Sequence, residues 1–262
     1  MFETTRFEAS RRLRGTGILA VGLSLYSAFI VWYFTVWEGA DIEAMFEEDV
    51  PPAMIEAFGI EALGTIEGFL GGQIYTFLWL LGLGIYFAYA GAGLVANDIE
   101  QGRMDLLGVF PISRARLLGE KFSALLVPML GLNLVVGIVI YGLVFAIGES
   151  IDPVHLTLVH VLSIPYFLVC ASLGMILSVV VDRGSIAERA AIGLLFLFWL
   201  GESVVSGAGD FSWLAYLSPT QYYEPTPIVI DGTFDPVDSV ILLGAFVALQ
   251  ALGILLFKRR DL

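Results

Sequence analysis

"FSALLVPMLGLNLVVGIVIYGLVFAI", residues 122–147, runs without a single charged side chain. As a helix, at 1.5 Å per residue, it is long enough to cross a hydrocarbon core of about 30 Å. Its apolar positions are continuous rather than alternating, unlike a strand of a membrane barrel. Lipid offers the backbone no hydrogen-bond partners, so a helix is the form such a block must take. Five further blocks read the same way: 17–37, 73–96, 155–180, 190–206 and 238–257. Hydrophobic residues make up 58% of the 262 positions, and the mean hydropathy is +0.85. A soluble domain runs at about 45–50% apolar. The expected fold is an all-α integral membrane protein with six transmembrane helices.

An even number of spans puts both termini on one side, and the bases identify it. Arg6, Arg11, Arg12 and Arg14 precede the first span. Arg103, Arg114, Arg116 and Lys121 lie between the second and third. Arg183 and Arg189 separate the fourth from the fifth, and Lys258, Arg259 and Arg260 follow the sixth. These are all 13 Lys and Arg of the chain. The positive-inside rule makes that face, and both termini, cytoplasmic. Residues 38–72 hold nine acids and no base, the other two outer loops add eight more acids and no base, and the basic face holds the remaining nine acids against its 13 bases. The net charge of −13 is therefore an outside charge. It suits either a cation-collecting mouth or a solvated face in concentrated salt, where fields are screened within a few Å. The scatter of the acids, without His or Cys among them, favours the second.

Residues 1–16 read as a short amphipathic helix on the inner membrane surface. Phe7, Arg11 and Arg14 there follow one another at spacings of four and three. The alternative is an ordinary basic flank. The apolar block behind it is longer than a signal-peptide core, so the first span is expected to be retained. Pro51 and Pro52 can open, and Gly59 close, a short helix in the first outer loop. The last outer loop, 207–237, is rich in Pro, Gly and aromatics and is expected to be ordered and to dip back toward the bilayer. In the second span Gly84, Ala88, Ala92 and Ala96 recur every four residues, a small-residue stripe that permits close helix packing. Pro128 and Pro165 should kink their helices or loosen their hydrogen bonding.

Several chemistries are missing. "FLGGQ" (69–73) resembles part of an ATPase signature, but the chain has no G-x-x-x-x-G-K-[ST] loop to cradle phosphates. "GAGD" (207–210) resembles an aspartyl-protease motif, but Asp210 lies past the end of the fifth span and no other span has a central Asp to share its proton. His155 and His160 are five apart and do not share a helix face as an i, i+4 ligand pair would. They read as interface or packing residues. Cys170 is the sole cysteine, a small packing residue with no partner for a disulfide or a metal. The middles of the spans carry no charge, which excludes the buried relay of an ion-coupled carrier. No metal or cofactor is expected in this chain, and no nucleic acid among its partners.

"NDIEQGRMDLLGVFPISRARLLGEK", residues 97–121, separates the second and third spans. Met104, Leu106, Leu107, Val109 and Phe110 form an apolar cluster between charges. Pro111 stops any helix, and Ser113 caps a new one with Arg114 and Arg116 in its first turns. The segment reads as a docking element, or else as an inner-surface loop meeting lipid headgroups. It resembles the coupling segment of ABC-2-type permeases, the membrane subunits of one class of ATP-binding-cassette transporter. The residues that carry the likeness are Glu100, Gly102, Arg103, Leu106, Leu107, Pro111, Ser113, Arg114 and Lys121. The topology matches along the whole chain, as one transmembrane domain over 1–262, and the likeness is strongest to permeases of halophilic archaea.

The resemblance implies an exporter subunit in the cell membrane. It would pair with a second permease, most simply a second copy of itself, and sit on two copies of a separate ATPase that binds ATP and Mg. Residues 97–121 would carry the ATPase motion into the spans, and spans 2 and 5 would lie near the dimer axis. The rival readings are an intramembrane enzyme and a membrane anchor or assembly factor that transports nothing.

Overall fold

A computed structural model describes residues 3–37, 64–104, 113–205 and 209–260. The short helix expected at 51–59 lies outside these residues. So do Leu106, Leu107 and Pro111. Among the described residues the chain is helical, without strands. Six helical stretches are long and apolar enough to cross a membrane: Glu8–Val36, Ile66–Glu100, Arg114–Ala146, Pro153–Val180, Gly184–Glu202 and Pro236–Arg259. Each overlaps one of the six blocks read from the sequence.

The first difference from expectation is at the start. Helix α1 runs unbroken over Glu3–Trp37. The amphipathic segment and the first span are therefore one element, not two. Its 35 residues reach about 52 Å at 1.5 Å per residue, well beyond a core of about 30 Å. Gly15, Gly17 and Thr16 do not break it, and the Thr16 hydroxyl donates to the Arg12 carbonyl one turn back (2.9 Å).

The second span is composite. Helix α2 (Ile66–Leu70) is capped by the Thr65 hydroxyl, which accepts from Gly68 N. It leads into a π-wound stretch, Gly71–Leu83, and then into helix α3 (Gly84–Glu100). Gly102, at φ +64°, follows the end of α3 in the left-handed conformation that glycine adopts without steric penalty.

The third span is broken where proline chemistry requires it. Helix α4 (Arg114–Ser123) and helix α5 (Leu126–Ala146) meet at Ala124 and Leu125. Pro128 lacks the N–H that would bond the Ala124 carbonyl, and its ring crowds that same carbonyl. Pro128 thus sits in the first turn of α5, where a missing donor matters least. Helix α6 (Pro153–Val180) instead continues through Pro165.

Helix α6 is the centre of the bundle and packs on α3, α5, helix α7 (Gly184–Val205) and helix α9 (Pro236–Arg259). Its face against α3 is a seam of small residues. A Cβ added at Gly174 would lie on the Ala88 carbonyl oxygen of α3. One added at Gly91 would lie on the Ala171 carbonyl oxygen of α6, and Gly84 is overlain by the Tyr166 ring. Ala88, Ala92 and Ala96 are fully buried. In a bilayer, burial of apolar area gives little drive to helix association, so close packing of this kind holds the helices together. At the end of the seam the Ser178 hydroxyl accepts from Val95 N (2.7 Å) and Ala96 N (2.9 Å).

The segment before the last span folds back into the bundle. Two 3₁₀ turns, Gly209–Leu217 and Pro219–Tyr222, lead into helix α8 (Pro225–Asp231). The buried Tyr223 ring stacks on Tyr166 at 5.6 Å, and its hydroxyl donates to the Val159 carbonyl (2.8 Å). Thr226 closes on Gly71 and bonds Thr76 (3.2 Å). Burial raises the Tyr223 phenol well above its usual range. It also raises the Glu224 carboxyl, with repulsion from Asp238 adding to the effect.

Candidate functional site

The ends of α3, α4, α6, α7 and α9 and the start of α1 converge at one end of the bundle, called here the basic end. The side chains of residues 97–121 that the structure describes are built into it.

Helix α4 begins as expected, with the Ser113 hydroxyl accepting from Arg116 N at 3.3 Å. Arg114 does not project away from the bundle. Its guanidinium donates to the Phe257 carbonyl (3.3 Å) and to the Lys258 and Arg260 carbonyls. These groups lie at the end of α9, where unpaired carbonyls and the negative end of the helix dipole favour a cation. Arg260 repeats the device one helix over. It donates to the Ser178 and Val179 carbonyls at the end of α6 and pairs with Asp182. Arg116 pairs along its own helix with Glu120 (2.7 Å).

Lys121 is buried, only 3% exposed. Its ammonium pairs with Asp98, itself 6% exposed, and lies 3.5 Å from the Glu8 carboxylate of α1. Arg103 binds the other side of Asp98, at 2.8 Å. This cluster ties α1, α3 and α4 together. Two buried charges are tolerable because each is paired and hydrogen-bonded.

Two more polar contacts tie α3 to α7. The Asn97 amide donates to Glu188 (2.8 Å), and Glu100 accepts from Gly184 N (2.8 Å). A Cβ at Gly184 would collide with Asn97. Of the site residues read from sequence, Glu100, Gly102 and Arg103 thus lie at the α3 end, and Ser113, Arg114 and Lys121 lie on or at the cap of α4. The structure brings Arg103 and Lys121 together on Asp98 and sends Arg114 to α9.

Sequence reading passed over Asp98, Glu8, Asn97, Glu188 and Arg260 as functional residues. One signal was available: Asp98 is an acid in the last turn of an otherwise apolar span, and Lys121 is a base at the mouth of the next. Such residues are expensive unless they find each other.

Away from the basic end, the buried His160 is held by packing and hydrogen bonds. Its Nδ1 lies 3.3 Å from Asn133 Oδ1 and its Nε2 3.2 Å from the Tyr75 hydroxyl. With Asn133 Oδ1 an acceptor, Nδ1 carries the proton and Nε2 accepts from Tyr75. Trp79 packs edge-on at 4.7 Å. His155 is half-buried and lies against Gly232, so the two histidines do not meet.

A six-pass chain with a short polar segment tied into four spans raises the question of kinship. Over residues 19–262 the chain matches the family described as ABC-2 family transporter protein. It belongs to the ABC-2 family. A curated relative, "Uncharacterized protein YhcI" of Bacillus subtilis (strain 168), is 28% identical over 204 residues. That match covers 68% of this ABC-2 chain and 64% of the relative, so the chain spans a little under two thirds of the relative's length. The ABC-2 assignment makes this a multi-pass transporter membrane component.

Proposed function

We propose that the chain is the permease subunit of an ATP-binding-cassette exporter driven by a separate ATPase, with residues 97–121 as the coupling segment. The observation that carries the reading is the way this segment is fastened. On its first side, Asn97 and Glu100 hold α7, and Asp98 holds Lys121. On its second side, Arg114 holds the end of α9. A push on the tip of the segment therefore reaches spans 2, 3, 5 and 6 through hydrogen-bonded side chains rather than through a slack loop.

In this reading the basic end faces the cytoplasm, as its Arg and Lys content favours. Two ATPases bind ATP and Mg, close, and drive the segment. A second copy of the permease supplies the other half of the pathway. The apolar face of α7, with exposed Phe196, Leu197 and Leu200, is available to that copy within the bilayer. The permease itself contributes no nucleotide chemistry.

Leu106 and Leu107 are the apolar knobs offered to the ATPase groove. Replacing both with Asp should leave the protein folded in membranes and abolish co-purification of a P-loop ATPase and its stimulated turnover. Retention of both activities in the Leu106→Asp, Leu107→Asp variant would overturn the assignment.

A further inference from the structure

A cavity of about 260 Å³ opens at the basic end between the first turns of α1, the last turns of α3 and the inner side of α4. Four bases line it (Arg11, Arg12, Arg103 and Lys121) with two acids, Glu8 and Asp98. Asp98 is occupied on both sides by Arg103 and Lys121. Glu8 sits 3.5 Å from Lys121. Glu8 also lies within electrostatic reach of Arg12, but with four bases against two acids the cavity wall carries an excess of positive charge.

Arg12 is the telling residue. Its Nε is buried and has no hydrogen-bond partner among the described residues. A guanidinium has five N–H donors and no acceptor, and leaving a buried one unmet is costly. Such a donor takes an acceptor, and the excess charge of the described lining favours an anionic one. The site also has a defined depth. Helix α1 is longer than the hydrocarbon core, and its start, which carries Arg11, Arg12 and Arg14, is the end suited to headgroup level.

We infer that this cavity binds a phosphate-bearing anion, with Arg12 and Arg11 as its ligands, at the joint between α1 and the coupling segment. A tetrahedral phosphate presents paired oxygens to a guanidinium fork, which an isolated lysine cannot match. Two sources offer that chemistry: the headgroup of an acidic lipid in the adjacent leaflet, and a soluble phosphate. Because Lys121 and Arg103 share the cavity with the ligand, occupancy would stiffen the α1–α3–α4 joint. This inference does not depend on the ATPase partner.

The test uses the full chain purified in a neutral detergent, with melting temperature followed against short-chain phosphatidylglycerol and, separately, against inorganic phosphate. At least one of the two should raise the melting temperature saturably. A shift with the lipid alone assigns the headgroup, and a shift with inorganic phosphate as well assigns a soluble anion. Arg12→Gln should require about tenfold more ligand, the loss expected for a charge-assisted hydrogen bond. Arg14→Gln removes the same charge from the same helix at an exposed position outside the cavity. It should change the requirement by no more than about twofold, as diffuse attraction to a charged surface would allow. If Arg12→Gln melts much earlier without ligand, Arg11→Gln replaces it, with a loss larger than that of Arg14→Gln. No shift with either anion, or equal losses in the cavity variants and Arg14→Gln, would overturn the site.

Discussion

Helices α3 and α6 meet through absent side chains. Gly91 and Gly174 each face a carbonyl of the other helix, and Ala88, Ala92 and Ala96 fill the rest of the seam. One turn beyond Ala96, helix α3 is held by the opposite means. Asp98 takes a buried lysine and an arginine, and Asn97 and Glu100 reach α7. The seam has no adjustable part, because a backbone carbonyl cannot step aside for a methyl group. The basic end is built from long side chains whose pairings can be exchanged. Such a joint can change length and angle while its charges stay satisfied, whereas a glycine seam either closes or fails. The proposed coupling role would use both: the seam as a rigid shaft and the charged end as a hinged attachment.

The contrast predicts where damage is greatest. Gly174→Val drives a branched side chain into the Ala88 carbonyl and the Ala92 amide. It should cost about 4 kcal/mol or more, seen as loss of monodisperse protein after detergent extraction. A well-behaved, normally melting variant would mean that the seam is slack.

Lys121→Met comes next. It leaves Asp98 buried with Arg103 alone and should destabilise by about 3 kcal/mol in reversible unfolding in mixed micelles. Adding Asp98→Leu should return part of that loss, because it removes the buried carboxylate while Arg103, at the exposed edge of the cluster, can turn to water. If the double variant is worse than the single, the pair is not a simple ionic tie. Ser178→Ala sits where the two regimes join. It removes one acceptor shared by Val95 N and Ala96 N and should cost about 0.6–1 kcal/mol by the same measurement.

The six spans were legible because length and continuous apolarity are properties of the chain alone. The stripe Gly84, Ala88, Ala92, Ala96 was legible for the same reason, since helix period places these residues on one face. The Ser113 cap was legible because a cap is local, as was the strain at Pro128. What escaped the sequence was any pairing set by the way the ends of separate helices gather. Nothing local announces that Arg114 will cap the end of α9 through a carbonyl 143 residues later, or that Arg260 will cap α6. Residues 3–16 are helical, as expected, and the structure adds that this helix continues into the first span without a break. A glycine-flanked threonine looks like a boundary, yet continued helical bonding, with Thr16 turned back onto Arg12, carries the helix through it.

The amino-acid order by itself determined that this chain is a six-pass helical membrane protein with its bases gathered at one end, since lipid forces every apolar block of that length into a helix. Only the tertiary structure decided that α6 stands at the centre, that Asp98 and Lys121 share a buried pair, and that Arg11 and Arg12 line one cavity with Arg103 and Lys121. Those outcomes depend on which helix ends come within the reach of a side chain, and that distance is set by the packing of all six spans together.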